Sequence, residues 1–368
     1  MPRARQLTMD ELRDQCTAYL GGDGPRDTTS LLAQIPVTTV MDVYGTGGVV
    51  EELEGEVAEL LGKERALFLP TGIMAQQATL RVHADRRGRA SVAFHPLSHL
   101  RTHEENAFVR LHGLREVLAG SRFEPLAPVS TASLEEIKEP LGALLLELPQ
   151  RDIGGYLPTW RELEAQVQWA RERGAAVHMD GARLWEAAPY YAASAKKSLA
   201  DVAALFDTIY VSFYKGLGGI SGSCVAGDAD VIDELSLWRT RHGGRPYMLW
   251  PYAASALTVL RERRNDMAKY YRRARALAKE LRAIEGLDVL PDEVKSPLMH
   301  VRFGATKAQM ETRVRALAQS RGIWSFARPF VSEGTRLQRY EFQVGRASME
   351  LRLDQIVEAF TQLAGHDV

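Results

Sequence analysis

Asp180, Arg183 and Lys215 put an acid, a guanidinium and an amine close behind two apolar runs of the chain. Asp180 closes the run Ala175 to Met179, apolar apart from His178, and Arg183 follows three positions later. Such a pair is either a buried salt bridge or a carboxylate aimed at a cationic ligand with an arginine left for an anion. Lys215 lies 35 residues beyond Asp180, after Thr208–Phe213 and inside Tyr-Lys-Gly-Leu-Gly-Gly. Taken singly it reads as a solvated loop lysine, but a glycine-rich turn at a strand end also leaves room for an amine that forms a Schiff base. A third element is Phe68-Leu-Pro-Thr-Gly-Ile-Met-Ala75, which reads as strand, tight turn and helix start. Free N–H groups and the positive end of a helix dipole suit an anion such as phosphate.

Together these parts match the needs of pyridoxal 5'-phosphate: oriented donors for the phosphate, an anion for the ring nitrogen and an amine for the aldehyde. In this reading Asp180 keeps the ring nitrogen protonated and Lys215 holds the aldehyde carbon. Ser212 and the turn glycines offer further phosphate contacts.

The elements that must position these groups alternate. Strand-like runs fall at 66–69, 91–94, 143–146, 175–177, 208–211 and 223–226, with helical patterns at 50–61, 72–84, 134–139 and 160–173. Short continuous apolar strands between helices predict an α/β fold, a mostly parallel sheet sandwiched by helices. In such sheets ligands sit beyond the carboxyl ends of the strands, where Asp180, Lys215 and Gly72 all fall. The expected organisation is an N-terminal helical arm at 1–40 with a helix over 9–20, a large domain at 41–245 and a connecting helical region at 246–285. A smaller C-terminal α+β domain at 286–368 completes it, with strands near 299–303 and 339–344 and helices at 306–320 and 348–363.

At DVYGTGG (42–48), GKERALFLPTG (62–72), HMDGAR (178–183), KGLGG (215–219) and GSCVAGD (222–228), in that order, the sequence resembles the threonine aldolase and β-eliminating lyase family of fold-type I pyridoxal-phosphate enzymes. The resemblance covers about 42–244. It implies that Lys215 carries the cofactor, that Asp180 pairs with its ring nitrogen, and that Gly72 and Ile73 donate to its phosphate. It further implies that Arg183 bonds the ring oxygen and the substrate carboxylate, and that His99 stacks on the ring. A second carboxylate-binding position falls on Arg339 or Glu341. The chain departs from the family pattern in three places: Pro36-Val-Thr-Thr-Val40 replaces a Ser-Asp-Thr motif, Glu147-Leu-Pro-Gln150 stands for Glu-Asn-Thr-His, and the segment before that strand is short and lacks a counterpart of the family's second histidine near the substrate hydroxyl.

The implied reaction is cleavage of a β-hydroxy-α-amino acid, threonine-like, to glycine and an aldehyde, with His99 or a water as base. The alternatives are β-elimination or dehydration on the same cofactor, and a non-catalytic phosphate- or nucleotide-binding α/β protein. Against the last, neither GxGxxG after the first strand nor GxxxxGK[ST] is present. The chain of 368 residues carries 46 basic and 47 acidic side chains, so its balance makes no case for nucleic acid or an anionic membrane as partner. Two cysteines supply neither a disulfide framework nor a metal site, and the expectation is no metal. No secretory h-region and no apolar run of about 18 residues are found, so a cytoplasmic enzyme is expected. The family resemblance adds a homodimer or homotetramer with the site at the interface.

Overall fold

The computed structural model describes residues 7–121 and 124–366. It divides into two compact units, one spanning Asp27–Met267 and the other combining the residues through Arg26 with those from Ala268 onward.

A seven-stranded sheet organises the larger unit. In spatial order its strands are Arg65–Leu69, Ser223–Gly227, Thr208–Ser212, Ala176–Gly181, Ala143–Glu147, Ser91–Phe94 and Arg115–Leu118. Ser223–Gly227 runs antiparallel to both neighbours and all other pairings of adjacent strands are parallel. The expected mostly parallel sheet is therefore present. Its central strands are mostly apolar because they are covered on both faces: every residue of Ala176–Gly181 and Thr208–Ser212 is buried. Burying side chains such as Val177 and Met179 stabilises the fold by roughly 1.5–3 kcal/mol each.

Helix Gly72–Arg87 starts at the Thr71 cap, whose hydroxyl accepts from Met74 N. It packs with Ala229–Arg241, setting Ala75, Ala78, Val82, Val231 and Leu235 against Leu67, Leu69, Tyr210 and Val225 of the sheet. Helix Trp160–Glu172 opens on a Thr159/Glu162 capping box and buries Leu163, Val167 and Ala170, spaced as one helical face requires. In place of one connecting helix, Trp250–Arg263 and Met267–Leu281 are separated by a 3-10 turn at Arg264–Asp266. The buried carboxylate of Asp42 fixes the entry to Trp250–Arg263 by accepting from Leu249 N and Trp250 N at 2.8 and 2.7 Å.

In the smaller unit the strands Val331–Ser332, Gln338–Gln343, Leu298–Phe303 and Leu287–Leu290 form an antiparallel sheet in that order. Phe303, Phe326, Tyr340, Phe342 and Phe360 make its aromatic core. The helix expected over 9–20 ends at Gln15, because Ala18–Tyr19 pairs in parallel with Ile323–Trp324 and that extended pairing excludes helical backbone. Among the described residues no helix is long and apolar enough to cross a membrane.

Candidate active site

Beyond the carboxyl ends of the parallel strands lies a cavity of about 290 Å³, near the lower end of small-molecule pockets. Gly72, Ile73, His99, Asp180, Arg183 and Lys215 all line it, with Glu104, Glu147, Arg151, Tyr210, Tyr214 and Ser221.

Asp180 stands at the end of its strand, 3% exposed, with Oδ1 accepting from Ala182 N at 3.0 Å. Burial pushes its pKa up, and the positive charges of His99 and Lys215 pull the other way. Beside it in register is Glu147, whose Oε1 accepts from Arg151 N at 3.0 Å and Oε2 from His99 N at 3.2 Å. Burial first, and then the charge of Asp180, push Glu147 up to about 8. Two adjacent buried carboxyls in one cavity favour a bound cation or a shared proton.

His99 begins the short helix after Ser91–Phe94, and its Nδ1 lies 3.0 Å from Glu104 Oε1. Glu104 is itself held by Gln77 Nε2 at 2.9 Å, which fixes the ring's orientation. Burial opposes a charged imidazole, but the Glu104 hydrogen bond and the carboxylates of Asp180 and Glu147 outweigh it and raise His99's pKa.

Lys215 sits in the turn after Thr208–Ser212, with its Nζ 4.8 Å from the centre of the Tyr214 ring. Only glycine fits next to it: a Cβ on Gly216 would lie 2.4 Å from Glu186 Oε1. Glu186 is buried, which raises its pKa to about 7 against the pull of Arg183, whose Nε is 3.9 Å from Glu186 Oε1. Glu186 thus gives the Arg183 guanidinium an acidic neighbour on its own helix.

One expected residue of this unit lies outside the cavity lining. Ser212 is not among the cavity residues; its hydroxyl donates to Ala182 O at 2.7 Å, which removes it as a phosphate contact. Ser221, at the other side of the turn, lines the cavity and donates to Pro70 O at 3.2 Å. Arg339 belongs to the smaller unit, where its Nε is 3.0 Å from Glu333 Oε1.

Among the contributors that the sequence did not reveal are Glu104, Glu186, Gln76 and His103. Glu186 was detectable as the i+3 neighbour of Arg183 on a helix, and Gln76 as the next turn of the helix after Gly72. Nothing local marks Glu104.

These groups fit pyridoxal phosphate. At one end the first N–H groups of helix Gly72–Arg87 lack intrahelical acceptors, and a buried Gln76 Nε2 has no partner among the described residues. Gln76 Oε1 is taken by His178 Nε2 at 2.6 Å, so the amide is oriented to present Nε2 as a donor. Asp180 and Lys215 supply the acid and the amine.

A mostly parallel sheet with this set at its carboxyl edge defines the class of fold-type I pyridoxal-phosphate enzymes. The β-eliminating lyase family model matches residues 29–303. A Listeria monocytogenes structure described as a candidate L-allo-threonine aldolase is 35% identical, with a TM-score of 0.89 over 96% of this chain and 98% of that one. The low specificity L-threonine aldolase of Escherichia coli (strain K12) is 28% identical over 73% of this chain and 78% of its own. A structure designated SPT with PLP, at 20% identity, shares the fold, with a TM-score of 0.64 over 87% of this chain and 77% of that one. The chain belongs to the β-eliminating lyase family.

Proposed function

We propose that the protein is a pyridoxal-phosphate-dependent carbon–carbon lyase that cleaves a threonine-like β-hydroxy-α-amino acid to glycine and an aldehyde. The observation that carries this is the meeting of Lys215, Asp180, His99 and the Gly72 helix start around one cavity, in a chain akin to threonine aldolases. When bound, the cofactor withdraws electrons from the substrate's α-carbon. Lys215 would supply the amine that holds the cofactor's aldehyde. Asp180 would keep the cofactor's ring nitrogen protonated. Gly72 and Ile73 N–H groups, with Gln76 Nε2, receive the phosphate. Arg183 binds the substrate carboxylate, and its neighbour Glu186 restrains the guanidinium. His99, oriented by Glu104, covers the ring and excludes water from it.

Exposed apolar side chains at Val37, Val40, Met41, Tyr44, Tyr247 and Tyr252 support a second copy of the chain against this unit, as a homodimer or a pair of dimers. We place the enzyme in the cytoplasm; among the described residues no helix is long and apolar enough to cross a membrane.

The test is a screen of β-hydroxy-amino acids with the purified protein and added pyridoxal phosphate. Glycine plus an aldehyde is the expected outcome, with a visible absorption band that Lys215→Ala alters. Ammonia plus a keto acid would replace cleavage by elimination. A colourless protein indifferent to Lys215→Ala would end the enzyme reading.

A further inference from the structure

His103 is a second imidazole in the cavity, on the helical turn after His99, with the two ring centres 5.0 Å apart. Its Nε2 lies 3.0 and 3.2 Å from the two oxygens of Asp152, which belongs to the turn Arg151–Ile153 after strand Ala143–Glu147. The Asp152 side chain is 10% exposed and that of His103 34%, so the acid is fixed in the wall while the ring reaches solvent. An ionised carboxylate accepts only; it therefore holds the proton on Nε2 and leaves Nδ1 with the lone pair. His99 lacks that freedom, because its own Nδ1 faces Glu104.

We propose that His103, positioned by Asp152, is the base that takes the proton of the substrate's β-hydroxyl. This rests on the cleavage reading above and assigns a step that reading leaves open. The hydroxyl O–H bond breaks and an N–H bond forms at His103 Nδ1. The oxygen's electron pair becomes the second bond of the aldehyde carbonyl while the Cα–Cβ bond breaks. That bond's pair stays with Cα, which takes up one proton to complete glycine, and His103 releases its own to water. Asp152 stabilises the imidazolium formed on the way, the task a carboxylate performs beside any catalytic imidazole. The other charged groups around the cavity are Glu104, Glu147, Arg151, Asp180, Arg183 and Lys215, with the His99 ring.

The experiment compares wild type, His103→Gln, His103→Phe and Asp152→Asn, all loaded with cofactor and checked for folding by thermal melting. Gln keeps a donor for Asp152 but has no basic nitrogen. Three readouts are taken: kcat and KM for cleavage across pH, glycine affinity from the visible spectrum, and exchange of glycine's α-proton in D2O, which needs no hydroxyl. Expected are a fall in cleavage kcat of about 100-fold or more in both His103 variants, loss of the acid limb of the kcat profile, and glycine affinity and exchange within about twofold of wild type. Asp152→Asn should lower kcat about 10-fold and move the acid limb to lower pH. Cleavage within about threefold of wild type in His103→Gln overturns the proposal alone, as does a parallel loss of glycine exchange in both variants. A wild-type enzyme that exchanges glycine's α-proton but cleaves no β-hydroxy-amino acid overturns the cleavage reading and this proposal with it.

Discussion

Glu147 and Asp180 stand opposite one another in register on neighbouring parallel strands, both lining the same cavity. Two carboxyls so placed and buried do not both ionise readily; burial and the neighbouring Asp180 push Glu147 up to about 8, so Glu147 is the one that holds a proton. The expected consequence is a titration near pH 8 in the pH profile of kcat that is absent in Glu147→Gln. If the inflection persists in that variant, another group is responsible.

Asp180 is asked to hold a positive charge in a cavity it shares with the acids Glu147 and Glu104. Asp180→Asn should leave the cavity's shape intact yet lower kcat by at least 100-fold, the scale of losing one electrostatic contact made to the reacting system. Asp180→Glu should recover part of that loss. Stopped-flow measurement of glycine release, at a cofactor concentration that saturates both variants, separates the kcat effect from weakened cofactor binding.

Much of this site was legible because each contributor follows a strand end, and a polar residue closing an apolar run is a local signal. Asp180, Lys215 and the Gly72 turn all announced themselves that way. Pairings across the sheet did not. Glu147 meets Asp180 only through register between strands, and Glu104 reaches His99 through a turn of irregular chain. Ser212 misled because a strand-end hydroxyl can face a ligand or a neighbouring carbonyl, and here the Ala182 carbonyl claims it. The edge strand Arg115–Leu118 went unread since none of its residues is fully buried, which erases the apolar run that marks the central strands.

Gly72 lines the cavity with its backbone close against Tyr210. A Cβ there would lie 2.2 Å from the Tyr210 hydroxyl oxygen, which a ring packed among Leu69 and Val225 cannot yield freely. Gly72→Ala is expected to cost about 1–3 kcal/mol of stability and to weaken pyridoxal phosphate binding by 10-fold or more, an order-of-magnitude figure for overpacking. Adding Tyr210→Phe removes the nearest atom and should restore part of both. Thermal melting with and without cofactor reads the two effects separately; absence of rescue in the double variant would show that the strain lies elsewhere.

Away from the cavity, Glu54 is buried where its Oε1 accepts from Phe68 N at 2.7 Å, with Arg239 Nη1 3.8 Å away. Burial dominates, and the pKa rises from 4.5 to about 7 despite the Phe68 hydrogen bond and Arg239. A folded-state pKa above the unfolded one means that the native state binds the proton more tightly. The associated stability is complete below about pH 4.5 and is lost as pH rises through 7, amounting to about 2–3 kcal/mol by linkage. Glu54→Gln keeps the acceptor for Phe68 N and removes the charge, so its stability should change less between pH 5 and 8 and match or exceed wild type at pH 8. Denaturant midpoints of both proteins at the two pH values decide it: parallel pH dependences would exclude Glu54 as their source.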